Sequence, residues 1–138
     1  MANYVSLAIV IIGFTLIGIL LFSEGVALNE INSIGLFLMI IGLIFFTMAR
    51  IQLGRSFQAT AAANHLVTTG IYKKIRHPVY VFGFILILGL IIFIQKLYLL
   101  PLLIVLIFIQ IKRIRKEEKV LEEKFGDAYR EYRKKTWF

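Results

Sequence analysis

Cysteine is absent from this chain, which excludes disulfides and thiolate zinc sites and leaves the redox compartment unread. Charge is sparse: 17% of the residues are charged, against 59% hydrophobic. The mean hydropathy is +0.84. A soluble domain of 138 residues must cover itself with polar side chains, and this one has too few. Lipid is the solvent that suits it. The apolar–polar alternation of a β-barrel strand is also missing, because the apolar runs are continuous. What remains is an all-α transmembrane bundle, since every backbone polar group must be satisfied inside lipid.

Four uncharged runs supply the helices, at about residues 4–22, 31–49, 78–95 and 97–111. The first three are near the ~20 residues that cross the hydrocarbon core. The fourth is short, so its helix is expected to continue into the basic sequence behind it. Lys96 and Pro101 mark a tight turn between the third and fourth runs. The first run lacks a basic segment ahead of it and is too long for a signal peptide, so it reads as a retained span. Gly35, Gly42 and Ala49 recur every seven residues and predict a close helix contact. The whole chain reads as one membrane-embedded domain of about four spans.

Basic residues set the orientation. Arg50, Arg55, Lys73, Lys74 and Arg76 lie in the segment 50–77, and ten more lie from Lys112 to Lys135. Lys96 alone is left for the opposite side. The positive-inside rule places the loop 50–77 and the tail 112–138 in the cytoplasm, and four spans put the N-terminus there too. Topology and anionic lipid account for the net charge of +8 without a nucleic acid.

The polar residues that could do chemistry therefore share one membrane edge. Pro78 fits the first turn of the third helix, leaving Arg76 and His77 beside its N-terminus, where N–H groups and the helix dipole favour an anion. Arg76 adds planar donors suited to a carboxylate or phosphate. The bland alternative is that these are ordinary topology signals, with Tyr80 an interfacial anchor. In the tail, Arg113 and Glu117 are four apart and can meet on a helix face, and Glu118 follows. Two acids there could orient a substrate, balance a cation or accept a proton. Taken alone, they equally suit a solvated helix face laced with ion pairs. His65 has no second ligand at metal spacing, and no metal site is expected. Ile114, Leu121, Phe125, Tyr129 and Tyr132 fall near one helical face, with Gly126 a candidate break after which the tail folds back under the bundle.

The order of these pieces is more telling than any one of them. Leu53-Gly54-Arg55-Ser56-Phe57 comes first, then Leu66-Val67-Thr68-Thr69-Gly70-Ile71-Tyr72, then Arg76-His77-Pro78-Val79-Tyr80. An apolar hairpin follows, then Glu117-Glu118, Leu121, Phe125-Gly126, Tyr129 and Tyr132. From Arg50 onward the chain resembles the isoprenylcysteine carboxyl methyltransferase family, part of a wider group with the phospholipid methyltransferases. It departs from the family pattern in having Val81 and Phe82 before Gly83, and His65 one place closer to Leu66-Val67. The resemblance implies an integral membrane enzyme that transfers methyl from S-adenosylmethionine to a lipophilic or small acceptor, isoprenylcysteine-carboxylate-like or phospholipid-amine-like. It implies a cofactor site lined by Leu66, Val67, Gly70, Tyr72, Arg76, His77 and Tyr80. Arg113, Glu117 and Glu118 would lie toward the reacting groups.

The residues agree with that chemistry. No Gly-rich strand–turn–helix exists to hold the cofactor on a parallel sheet. It needs instead an anion site for its carboxylate, an apolar slot for adenine and tolerance of a sulfonium, and the segments around Arg76 and Glu117 contain such groups. Two other readings use the same layout: a nicotinamide-dependent membrane reductase, and a non-enzymatic membrane subunit. A transport path would place polar groups near the midplane, where this sequence has no charge.

Overall fold

A computed structural model of the chain describes residues 29–53 and 66–137, together with Ala8, Ile12, Gly13, Thr15, Gly18 and Ile19, each of which is helical. The first apolar run as a span, the Gly54-Arg55-Ser56-Phe57 segment and His65 lie outside the described residues. Four helices follow in order: α1 (Glu30–Leu53), α2 (Pro78–Phe93), α3 (Leu100–Phe125) and α4 (Asp127–Lys135). Short 3-10 turns at Gly70–Lys73 and Leu97–Leu99 precede α2 and α3. Among the described residues there is no strand, and one isolated parallel bridge joins Ile75 to Trp137.

Two of these helical segments, Glu30–Leu53 and Leu97–Phe125, are long and apolar enough to cross a membrane, while α2 is apolar but 16 residues long. Large apolar side chains on α1 and α3 face outward: Ile34, Phe37, Leu102 and Phe108 are 57–64% exposed. Exposure of that extent suits lipid rather than water. Pro101 lies in the first turn of α3, where its missing N–H costs nothing. The 26 residues of α3 extend about 39 Å, more than the ~30 Å hydrocarbon core, so its basic second half continues beyond the apolar half as one helix.

The α1–α2 pair is the packed core, and the small-residue stripe explains its closeness. Gly35, Gly42 and Ala49 are all buried, as their spacing predicts. A Cβ on Gly42 would lie 2.8 Å from the Leu86 backbone nitrogen, and one on Gly89 would lie 2.7 Å from that of Met39. Only hydrogen fits between these backbones. Met39, Leu86 and Phe93 form one cluster, and Ala49, Tyr72 and Val79 another. Phe45 stacks on Phe82 with centroids 4.9 Å apart. At the α2–α3 turn, Gln95 donates to Asn29 Oδ1 at 3.1 Å and to Asn32 Oδ1, pinning that end to α1.

Gly126 ends α3 at φ 51°, ψ −121°, a conformation suited to glycine. The break turns the chain back. Tyr132 then donates to the Tyr72 carbonyl at 2.7 Å. Trp137 N–H donates to Lys74 O at 2.7 Å, and Arg76 N–H donates to Trp137 O at 3.0 Å. The tail thus folds back, as its sequence suggests, and it grips the segment that leads into α2.

Candidate active site at the start of α2

The residues flanking Pro78 meet the second half of α3. His77 caps α2, and Arg76 stands just ahead of it. Glu117 and Glu118 project from α3, about 40 residues later, into the same place. Arg76 Nη1 lies 3.4 Å from Glu118 Oε1, and His77 Nε2 lies 3.3 Å from the same oxygen. His77 makes that contact as a donor in its Nε2–H tautomer. Tyr80, one turn into α2, donates its hydroxyl to Glu117 Oε2 at 2.9 Å. The two carboxylates that a charge pattern alone leaves ambiguous are therefore brought together, each held by different residues of one helix start.

Several polar groups here are incompletely used. Arg76 Nε and Nη1 are buried and make no hydrogen bond, because the 3.4 Å ion pair lacks hydrogen-bond geometry. The Tyr129 hydroxyl is likewise buried without a well-formed hydrogen bond, and the Glu118 carboxylate is near it. Burial, then the nearby Glu118 charge, raises the Tyr129 phenol above its ordinary range. Burial also pushes the Tyr132 phenol up to about 12. His77 is held below the ordinary histidine value by burial, against the opposing pull of Glu117 and Glu118. It is neutral at pH 7. A guanidinium edge with unused donors beside a phenol is a group that can accept an anion.

The other sequence candidates fall at varying distances from this centre. Val67 packs against the Ala49–Tyr72–Val79 cluster, and Leu66 beside it is half-buried. Tyr72 is 4% exposed, donates to Ala49 O at 3.3 Å and accepts from Tyr132, so its contacts are those of a strut between α1 and α4. Gly70 sits at φ 61° against the Gln52 side chain, whose Oε1 accepts from Ile71 N–H at 2.9 Å. Arg113 is exposed and among the described residues closes no ion pair. The i, i+4 contact with Glu117 that its spacing permits is not made, because Glu117 turns to Tyr80 instead. Among the described residues no group of His, Asp and Glu could hold a metal ion.

Gln52 and Trp137 were not legible as site-supporting residues. Gln52 is one amide at a helix end, and Trp137 acts through its backbone. Tyr129 and Tyr132 carried a signal, an aromatic pair at helical spacing, but nothing in the sequence named their partners.

Residues 10–128 match the family model described as phospholipid methyltransferase. The chain belongs to that family. Two curated relatives share the resemblance, both named protein-S-isoprenylcysteine O-methyltransferase. The one from Schizosaccharomyces pombe is 39% identical over 95 residues, covering 64% of this chain and 40% of the relative. The one from Saccharomyces cerevisiae is 36% identical over 126 residues, covering 84% of this chain and 51% of the relative. The chain spans about half the length of these relatives. The carboxylate cluster and the Arg76-His77-Pro78 element both fall inside the matched residues of the family model.

Proposed function

We propose that this chain is an integral membrane methyltransferase that uses S-adenosylmethionine and acts on a lipophilic acceptor. The observation that carries the reading is the convergence of Glu117 and Glu118 on Arg76, His77 and Tyr80, with the Arg76 Nε and Nη1 donors left buried and without a hydrogen bond. The family and the two relatives supply the reaction class. The relatives' names give a protein-S-isoprenylcysteine methylated on oxygen, and a lipid-linked acceptor of that class, with its carboxylate as the methylated group, is the one proposed here.

S-adenosylmethionine, when bound, supplies an electrophilic methyl on a sulfonium. Arg76 and the α2 N-terminus would hold its carboxylate, with Tyr129 as a further hydrogen-bond group. Leu66, Val67 and Gly70, from the segment ahead of α2, would border the adenine, with Tyr72 holding that segment to α1. Glu118, fixed by Arg76 and His77, would supply negative charge for the cationic sulfonium. Glu117, oriented by Tyr80, would lie toward the acceptor. A carboxylate acceptor is already ionised and asks no proton of Glu117, whereas an amine acceptor would lose its proton there. Arg113 adds a positive charge at the outer edge, suited to drawing in an anionic acceptor. Most of the rate gain lies in positioning and desolvation. In this reading the chain makes about four spans, and the site, the loop 50–77 and the tail 112–138 face the cytoplasm.

Calorimetric titration of detergent-purified, lipid-supplemented protein with S-adenosylmethionine and its demethylated product tests the cofactor. Saturable binding is expected. A charge-assisted hydrogen bond contributes about 1.5–3 kcal/mol, so Arg76→Ala should weaken binding by roughly 10- to 100-fold while the helical circular dichroism stays intact. A folded wild type that binds neither compound, or a variant that binds equally well, overturns the assignment.

A further inference from the structure

From Leu100 to Ile111 the apolar half of α3 contains one hydrogen-bonding side chain, Gln110. Its Oε1 is buried and has no hydrogen-bond partner. Gln110, Ile114 and Glu117 stand at i, i+4 and i+7, so they share a face, with Gln110 about 10 Å further along the axis than Glu117. Ile114 and Leu103 on that face are buried, which makes it the inward face of α3. Past Gln110 the face runs into an apolar groove of 170 Å³, bordered by Ile87, Leu90 and Ile91 of α2 and Leu102, Leu103 and Leu106 of α3. The order along α3 is therefore apolar groove, single amide, carboxylate pair.

An amide oxygen with no partner is costly in lipid, and a glutamine in a span normally bonds a neighbouring helix. Here the side chain is half-buried and its oxygen is turned into the fold, away from the exposed apolar surface of α3. A donor brought by a ligand completes it. The oxygen cannot serve a carboxylate, which is acceptor-only, but it suits an N–H. We infer that Gln110 is a specificity residue for the methyl acceptor. Its side-chain oxygen accepts a hydrogen bond from an N–H that lies between the acceptor's lipophilic tail, toward the groove, and its methylated end, toward Glu117. This inference rests on the methyltransferase reading and extends it to the acceptor.

The test uses the full chain in lipid with S-adenosylmethionine and two probes: N-acetyl-S-farnesylcysteine, which carries an amide N–H, and S-farnesyl-3-mercaptopropionic acid, which lacks it. Wild type should favour the first by about tenfold in KM, as a buried hydrogen-bonding site rejects an analogue that leaves it unpaired. Gln110→Met, of similar shape and apolar, should erase that preference with kcat nearly unchanged and cofactor affinity intact by calorimetry. Methylation of phosphatidylethanolamine vesicles alone, an acceptor whose N–H lies only at the methylated end, overturns the inference. Unchanged discrimination or unchanged KM in Gln110→Met, or a wild type without preference between the two acids, overturns the inference alone. A wild type that binds no cofactor and methylates none of the probes overturns the methyltransferase reading, and the role of Gln110 falls with it.

Discussion

At the scale of single residues, the site is built from groups whose neighbours determine their chemistry. Glu118 accepts contacts from both Arg76 and His77, while Glu117 one position earlier is taken by Tyr80. Adjacent residues on a helix point about 100° apart, so one helix end can hold both only if its own side chains are staggered by a turn, as His77 and Tyr80 are. Burial lowers the His77 pKa below its ordinary 6.5. The unfolded chain therefore binds the His77 proton more readily than the fold does. The stability contributed by the neutral imidazole is fully present above pH ~6.5 and is lost as pH falls through the folded value. Thermal unfolding in detergent should show the wild-type midpoint falling between about pH 7.5 and 5 more steeply than that of His77→Gln. Parallel pH profiles for the two proteins would remove His77 as the source of the slope. None of this pairing is written in the local sequence. Lys116 to Lys124 reads as a charged solvated face, and only contact with α2 separates Glu117 and Glu118 from Glu122 and Glu123.

At the scale of elements, the α1–α2 pair was the most legible part. Gly35, Gly42 and Ala49 lie on one stripe, and a stripe of small residues between apolar ones has one common use in a helix, close approach to another helix. The partner was not legible, because α2 is apolar all round and its sequence favours no face. The structure pairs Gly42 with the Leu86 backbone and Gly35 with the Gly89–Phe93 turn. Gly42→Leu should push the helices apart and destabilise the protein by about 1–3 kcal/mol or more, as overpacking does. A lowered unfolding midpoint in detergent is the expected outcome, and an unshifted one would contradict this helix register. The continuation of α3 past the apolar run was also readable from the shortness of that run.

At the scale of the whole molecule, the tail determines whether the site exists. α4 buries Tyr129 and Tyr132, at 1% and 9% exposure, against the segment leading into α2. The Tyr132 hydroxyl bonds Tyr72 O, and Trp137 pairs through its backbone with Lys74 and Arg76. Arg76 is therefore held from two sides: α3 fixes its side chain and the tail fixes its backbone. Tyr132→Phe leaves the buried Tyr72 carbonyl without this donor, at a cost of about 1–3 kcal/mol. Limited trypsin digestion should then cut the tail at Arg130 and Arg133 faster than in wild type, and cofactor affinity should fall with it. Equal cleavage rates would show that α4 is held by other contacts.

The sequence by itself determined what depends on composition and short-range spacing: an all-helical, lipid-suited chain, the helix start at Pro78, the break at Gly126 and the order of motifs that marks the family. These are legible because hydropathy, proline and glycine act within a few residues of themselves. Tertiary structure alone decided which of many charged residues converge on the start of α2, that Tyr72 serves as a strut, that Arg113 stands apart from Glu117, and that Gln110 faces inward. Each of these is a contact between residues tens of positions apart, and the direction of a side chain across such a distance follows from how helices pack rather than from what lies beside it in the chain.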